Sequence, residues 1–158
     1  AVLERSSVYQ FFDDALGVYT SDFVERELVG HFGALVSFVA KAEAAQKLVG
    51  GSGGEGDAAG SARLVQEATP LMRDFADRWK GAIEQLHREL VGAFSDLTLG
   101  MDVLQRTLSQ LLIYYTRLTG PEGVLMRCGP AGAELAKDAI ANPALLYEIR
   151  RVAGSSGR

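Results

Sequence analysis

Few residues in this sequence are of the types that carry out catalysis or bind metals. The chain has two histidines, His31 and His87, and one cysteine, Cys128. Neither a C-x-x-C nor an H-E-x-x-H spacing, the local patterns of many zinc sites, occurs among them. Residues distant in sequence can still meet in space, so a metal- or thiol-dependent enzyme stays as an alternative, which a convergent polar cluster at these residues would support. The sequence itself assigns no catalytic, cofactor-binding or metal-binding residue.

The glycine-rich segment GGSGGEGDAAGS, residues 50–61, matches two catalytic patterns. Residues 50–54 fit G-x-S-x-G, and residues 51–56 fit G-x-G-x-x-G. Both motifs function only between a strand and a helix that pack on a sheet. The residues before this segment have helical spacing instead. We therefore interpret 50–61 as a flexible linker inside a single helical domain that covers 1–158.

Composition indicates an ordinary folded domain rather than a nucleic-acid or membrane protein. The 158 residues are 47% hydrophobic and 23% charged, with a net charge of -4. Lysine and arginine never form a run of more than two, so we expect no nucleic-acid partner. We also expect no direct transmembrane anchoring, because no uninterrupted apolar run approaches about 18 residues. The single cysteine fits a reducing compartment. Because a helical pattern starts almost at the first residue, we expect a C-terminal fragment of a longer protein.

An apolar stripe with the pitch of an α-helix dominates the middle of the chain. Its members are Leu64, Ala68, Met72, Phe75, Trp79, Ile83, Leu86, Leu90, Phe94, Leu97, Met101, Leu104, Leu108, Leu111, Tyr115 and Leu118. They recur on average about every 3.6 residues, and the phase does not slip at Gly100. The stripe predicts one helix over about 62–119, about 80 Å long, with a bend at Gly100 and a kink or helix start at Pro70. The predicted fold is all-α, an elongated, rod-like bundle built on this long helix.

Shorter helices are predicted on both sides of the long one. By residue number they cover 3–28, 32–49, 131–141 and 142–152. A turn at 30–33 separates the first two, and a loop at 120–132 follows the long helix. Asn142 is the predicted N-cap of the last helix, and Pro143 its first helical residue.

The long helix carries a second apolar face that would meet another protein. Leu99, Val103 and Tyr114 lie opposite the main stripe, whereas the same face before Gly92 is polar. A helix that is apolar on two sides needs neighbours on two sides, either from this chain or from a partner. We predict Leu99, Val103, Tyr114 and Tyr147 of the last helix as protein-interface residues.

Three segments resemble the C-terminal region of the vacuolar protein sorting-associated protein 52 family. They are DFVERELVGHFGALVSFVAKAEA at 22–44, RDFADRWKGAIEQLHRELVGAFSDLTLGMDVLQRTLSQLLIYYTRL at 73–118, and AGAELAKDAIANPALLYEIRR at 131–151. The most specific parts are FGALVSFV, the single tryptophan in RDFADRWK, and FSDLTLGMDVLQ. The chain departs from the family in its glycine-rich segment, at 120–130 and at Pro143. The shared segments are packing patterns, and none of them is a catalytic motif.

The resemblance implies a non-enzymatic subunit of the Golgi-associated retrograde protein (GARP) complex and the endosome-associated recycling protein complex. Such complexes tether endosome-derived vesicles at the trans-Golgi network, in retrograde transport. Implied partners are the other complex subunits, a Rab-type small GTPase and SNAREs, with no cofactor. The implied location is cytoplasmic, peripheral on trans-Golgi network and endosome membranes. An alternative function is a helical bundle that binds an apolar small molecule or lipid, which requires a closed cavity of several hundred Å³.

Overall fold

A computed structural model describes residues 2–49 and 56–154, and these residues form a helical bundle. The helices are α1 (Val2–Val49), α2 (Gly56–Ala93), α3 (Leu97–Thr119), α4 (Val124–Arg127), α5 (Pro130–Asp138) and α6 (Asn142–Gly154). Neither described range contains a strand. The predicted all-α helical bundle is confirmed, and it includes long, bent helices.

The three long helices run up, down and up beside one another. His31 of α1 contacts Glu89 near the end of α2, whereas Lys41, later in α1, contacts Glu67 earlier in α2, so the two helices are antiparallel. Glu43 of α1 binds Arg117, and each lies near the C-terminal end of its helix. Helices α1 and α3 are therefore parallel, with α2 antiparallel to both.

The predicted single helix over 62–119 is wrong, because the chain reverses at Phe94-Ser95-Asp96. The Asp96 side chain caps α3 by accepting a hydrogen bond from the Thr98 N–H at 2.9 Å. Beyond this turn α3 runs back along α2, and the ring of Tyr115 stacks on that of Phe75 with centroids 4.9 Å apart. The stripe keeps its phase because α2 and α3 both turn their apolar faces towards the same core.

Gly100 is neither a bend nor a helix end, and lies inside α3. A Cβ at this position would be 3.1 Å from the carbonyl oxygen of Leu90 in α2. The glycine thus lets the two helices approach closely just after the reversal.

The stripe forms the core, as predicted. Twelve of its sixteen residues are buried, three are partly buried, and Leu97 beside the turn is 49% exposed. Trp79 is buried in mid-stripe and stacks on Phe75. The Tyr115 side chain is also buried, and its hydroxyl donates to the Ile140 carbonyl at 2.6 Å. Burial raises the pKa of Tyr115 to about 12, so this donor stays protonated.

A kink replaces the turn predicted at 30–33. Helix α1 continues through these residues and bends at Phe32, whose φ of -129° and ψ of 26° are not helical. By length and composition the segment Thr20–Leu48 could cross a membrane. It is not an uninterrupted apolar run, however, and its buried residues, such as Leu35 and Val39, belong to the same core as those of α2 and α3. A core helix of a globular protein has the same composition.

The C-terminal helices pack on the long ones: α5 on α2, α6 on α2 and α3, and α4 on α3 and α1, where Gln46 Nε2 donates to the Val124 carbonyl. Helix α5 covers most of the predicted 131–141, and α6 begins at Asn142, one residue earlier than predicted. Asn142 is therefore not the N-cap, and its Nδ2 donates to Thr116 Oγ1 of α3 instead of its side chain accepting from α6. The short helix α4 lies within the predicted loop 120–132, and α5 begins inside it at Pro130, which corrects that prediction. Helix α6 packs on α2 and α3, where Arg151 reaches Glu84.

The glycine-rich segment lies partly outside the described residues. Residues 50–55, which include the G-x-S-x-G match and most of the G-x-G-x-x-G match, are not described. Residues 56–61 belong to α2, so the linker prediction was wrong for this half. Pro70 lies inside α2, which begins earlier than predicted. That 1–158 is a single domain stays a prediction.

Candidate partner-binding surface

The four predicted interface residues differ in how much of each side chain is exposed. Val103 is 2% exposed and belongs to the core, so in this conformation the chain itself covers it. Leu99 and Tyr114 are half-buried and pack against the core, with part of each side chain left accessible. Tyr147 on α6 is 67% exposed. The predicted partner contact therefore remains a prediction for Leu99, Tyr114 and Tyr147. Val103 packs in the core on the buried side of α3.

Tyr114 lies in a groove between α1 and α3, which we call the α1–α3 groove. The groove has a volume of about 620 Å³. Its apolar lining consists of Val24, Leu28, Val29, Val36 and Tyr114. Its polar lining consists of Ser21, Glu25, Asp102, Gln105, Arg106, Ser109 and Gln110. All of these residues come from α1 and α3. Helix α6 does not cover the groove, since it packs on α2 and α3 at the other side of the bundle.

An apolar floor between polar walls suits an amphipathic helix. Val24 and Leu28 are buried at the floor, whereas Val29 is 48% exposed and open to a ligand. On the α3 wall Arg106 Nε donates to Asp102 Oδ2 at 2.9 Å, which keeps this wall polar without a net charge. An amphipathic helix binds such a groove with its apolar face down and its polar face in solvent.

Charged side chains bind α1 to α3 at one end of the groove. Arg117 donates from Nε and Nη2 to the two carboxylate oxygens of Glu43, at 2.9 and 2.5 Å. Its guanidinium carbon also lies 4.7 Å from the centroid of the Tyr114 ring. The hydrogen bond from Arg117 lowers the pKa of Glu43 below its ordinary value, and the same bond raises the pKa of Arg117. Tyr114 is therefore held in place by its own helix.

The groove does not match the requirement of the alternative lipid-binding function. That function requires a cavity closed to water, whereas the α1–α3 groove is open to solvent along the bundle surface. Charged residues such as Glu25 and Asp102 line it beside the apolar ones. The geometry favours a protein segment with an apolar face over an enclosed apolar molecule.

A polar cluster that the sequence analysis missed surrounds His31. The Nε2 atom of His31 lies 2.8 Å from Glu89 Oε2 and 4.0 Å from Glu27 Oε2. The hydrogen bond to His31 lowers the pKa of Glu89, and a second bond from Gln85 adds to this effect. The i, i+4 spacing of Glu27 and His31 was visible in the sequence, but the contribution of Glu89 depends on the antiparallel packing of α1 and α2.

The other two candidate residues do not join this cluster. Cys128 is buried beside α4 and accepts a contact from Gln46 Nε2 at 3.6 Å, near the other end of the bundle. His87 is half-buried on α2. Among the residues that the structure describes, the group of histidine and carboxylate side chains able to hold a metal ion is Glu27, His31 and Glu89. The cluster thus lacks a thiol nucleophile.

Comparison with known proteins identifies relatives over almost the whole chain. Vacuolar protein sorting-associated protein 52 A of Arabidopsis thaliana is 33% identical over 148 residues, which is 94% of this chain. The human and rat homologues of vacuolar protein sorting-associated protein 52 are 33% identical over 136 residues, 84% of this chain. The chain is related to vacuolar protein sorting-associated protein 52, Vps52. The resemblance noted from the sequence is confirmed.

The Vps52 relatives are much longer than this chain. It spans 19% of the Arabidopsis protein and 17% of the human and rat proteins. The Vps52-related chain therefore corresponds to one region of these proteins, in agreement with the predicted C-terminal region. No protein-family model and no solved structure matches it.

Proposed function

We propose that this chain is a non-enzymatic helical domain of a subunit of the Golgi-associated retrograde protein complex or the endosome-associated recycling protein complex. It acts in vesicle tethering during retrograde transport from endosomes to the trans-Golgi network. The observation that carries the proposal is 33% identity with Vps52 over 94% of the chain. The helical bundle agrees with a scaffold role.

The domain acts by binding other subunits of the complex. We assign this role to the α1–α3 groove with Tyr114, and to Leu99 and the exposed Tyr147. Contacts between subunits are commonly dominated by a few aromatic and large side chains, and Tyr114 is such a group, with the exposed apolar Val29 in the same groove. Its occupant is an amphipathic helix of another subunit. A Rab-type small GTPase and SNAREs are further proposed partners of the whole complex.

The proposed location follows from this assembly. The chain is cytoplasmic and associates peripherally with trans-Golgi network and endosome membranes through the complex, without itself crossing the membrane. Packing of apolar residues such as Leu35 and Val39 into the core supports this assignment.

A region exchange tests the proposed function. The matched region of Arabidopsis Vps52 A is replaced by this chain, and the chimera is expressed in plants that lack Vps52 A and the second Arabidopsis relative, Vps52 B. We expect the chimera to co-purify with the remaining subunits and to restore sorting of a vacuolar cargo. A matched chimera in which an unrelated helical bundle of similar length occupies the region should do neither. A well-expressed chimera that restores neither property would contradict the proposal.

A further inference from the structure

The His31 cluster brings three potential metal ligands together between α1 and α2. The ligand atoms of Glu27, His31 and Glu89 all lie within 4.8 Å of one another. Zn²⁺ binds nitrogen and oxygen ligands at about 2.0–2.2 Å, which places tetrahedral ligand atoms about 3.4 Å apart. The 2.8 Å and 4.0 Å separations from His31 Nε2 lie on either side of this value. Small side-chain adjustments would therefore give all three atoms metal-binding distances.

The backbone positions of the ligands suit a site that links two helices. Glu27 and His31 are one turn apart on α1, so both side chains project from the same face. Glu89 approaches from the antiparallel helix α2. Metal sites in helical bundles take ligands from facing helices in this way. The exposed fractions of the His31, Glu27 and Glu89 side chains are 15%, 26% and 45%, so water can complete the coordination.

A further hydrogen bond orients one of the ligands. Gln85 Nε2 donates to Glu89 Oε1 at 2.9 Å, one turn before Glu89 on α2. This bond holds one carboxylate oxygen and directs the other, Oε2, towards His31. Partners that orient a ligating carboxylate are a regular part of metal sites.

We propose that Glu27, His31 and Glu89 form a structural Zn²⁺ site that fastens α1 to α2 beside the kink at Phe32. One imidazole nitrogen with two carboxylates suits zinc, whereas Mg²⁺ and Ca²⁺ prefer ligand sets made of oxygen alone. The two carboxylates balance the charge of the cation, with His31 neutral. The proposal is independent of the proposed tethering function, because it concerns how the bundle holds together.

Zinc titration of the 158-residue chain tests the site. After treatment with a chelator, the protein is titrated with Zn²⁺ in competition with a chromophoric chelator, and melting is followed by circular dichroism. We expect one Zn²⁺ per chain with a Kd below about 10 μM, and a higher Tm in Zn²⁺. Gln85→Ala should weaken binding about tenfold by releasing Glu89.

Matched substitutions locate the bound ion. His31→Gln and Glu89→Gln should each weaken Zn²⁺ binding at least about tenfold. His87→Gln removes the other histidine, and Glu84→Gln removes another exposed carboxylate of α2, so both should bind Zn²⁺ like the unmodified chain. Melting curves without zinc establish that each variant is folded, and Glu89 is exposed enough for its substitution to be tolerated.

Three results would overturn the proposal. The first is the absence of one-to-one binding tighter than about 10 μM in the unmodified chain. The second is binding that is unchanged in both His31→Gln and Glu89→Gln, which would identify an adventitious surface site. The third is a Tm of the unmodified chain that does not change with Zn²⁺, together with a lower Tm of Glu89→Gln in the absence of Zn²⁺. This result would show that the cluster is an ion pair and not a metal site.

Discussion

At the scale of single residues, Trp79 shows how side-chain packing stabilises this domain. It is 5% exposed, and Phe75 on one side and Tyr115 beyond it form a row of aromatic rings across α2 and α3. The ammonium of Lys80 lies over its ring, 5.4 Å from the ring centroid. The indole is therefore an anchor of the core rather than part of a binding site.

Trp79→Ala should lower the free energy of unfolding by about 3–5 kcal/mol, because it leaves a large cavity between two helices. In a domain of this size the Tm would fall by about 10 °C. Denaturant unfolding followed by circular dichroism measures this change. Lys80→Ala is the control, since it removes the exposed cation and should cost less than about 1 kcal/mol. A similar, small effect of both substitutions would show that Trp79 is not a core residue.

At the scale of elements, close contacts between helices determine which residues are tolerated. Gly132 in α5 is buried, and a Cβ there would lie 2.0 Å from the Leu125 carbonyl oxygen and 2.9 Å from Cys128 Cβ. Gly81 in α2 is exposed, and a Cβ there would meet nothing within 4 Å. The two glycines lie in helices of the same bundle but have opposite surroundings.

Alanine substitution should therefore have opposite effects at these two positions. Gly132→Ala should destabilise the protein by about 1–3 kcal/mol, because the backbone of α4 must move to admit the methyl group. Gly81→Ala should stabilise it by about 0.5–1 kcal/mol, since alanine restricts the unfolded chain and favours the helix. Thermal melts of both variants provide the measurement. Stabilisation by Gly132→Ala would show that α4 and α5 do not make this close contact.

The ion pair between α1 and α3 makes a pH-dependent contribution to stability. Arg117 lowers the pKa of Glu43 below its ordinary value of 4.5. A carboxylate with a lowered pKa in the folded state stabilises the protein above the ordinary pKa, and the contribution is lost as the pH falls through the lowered pKa. Both side chains are partly exposed, so the contribution is at most about 1 kcal/mol.

Glu43→Gln should thus lower the Tm at pH 7 and have progressively less effect as the pH falls below about 4.5. The Tm of both proteins is measured between pH 3 and pH 7. Glu134→Gln on α5 is the control, because its carboxylate is exposed and its loss should change the Tm little at any pH. A Tm difference that grows towards low pH would contradict the assigned ion pair.

At the scale of the whole molecule, the sequence predicted the fold class and the core but not the chain reversal. The spacing around Trp79 and Leu108 identified the buried face correctly, because burial sets the periodicity of a helix. Helical periodicity does not show whether the chain continues straight or reverses between two helices. The sequence therefore predicted α2 and α3 as one helix. The Ser95-Asp96 pair was the available signal, since Asp96 caps α3.

The surface features depend on that reversal and could be predicted only in part. Tyr114 was predicted as an interface residue, but its neighbours Val24 and Val29 come from α1, across a groove that exists only in the folded bundle. Glu89 meets His31 because α1 and α2 pack antiparallel, which the sequence did not reveal either. Local spacing cannot predict which side chains two packed helices bring together.

The central claim, that this domain binds other complex subunits through the α1–α3 groove, is tested most directly by comparing two substitutions. Val29 and Ile113 are each 48% exposed, but Val29 lines the groove, whereas Ile113 of α3 is not among its lining residues. The affinity of the Vps52 chimera for the other subunits is measured with Val29→Asp or with Ile113→Asp. We expect Val29→Asp to weaken binding at least about tenfold, about 1.4 kcal/mol, and Ile113→Asp to leave it unchanged, with equal melting temperatures. Equal affinities, or a loss confined to Ile113→Asp, would contradict the assignment.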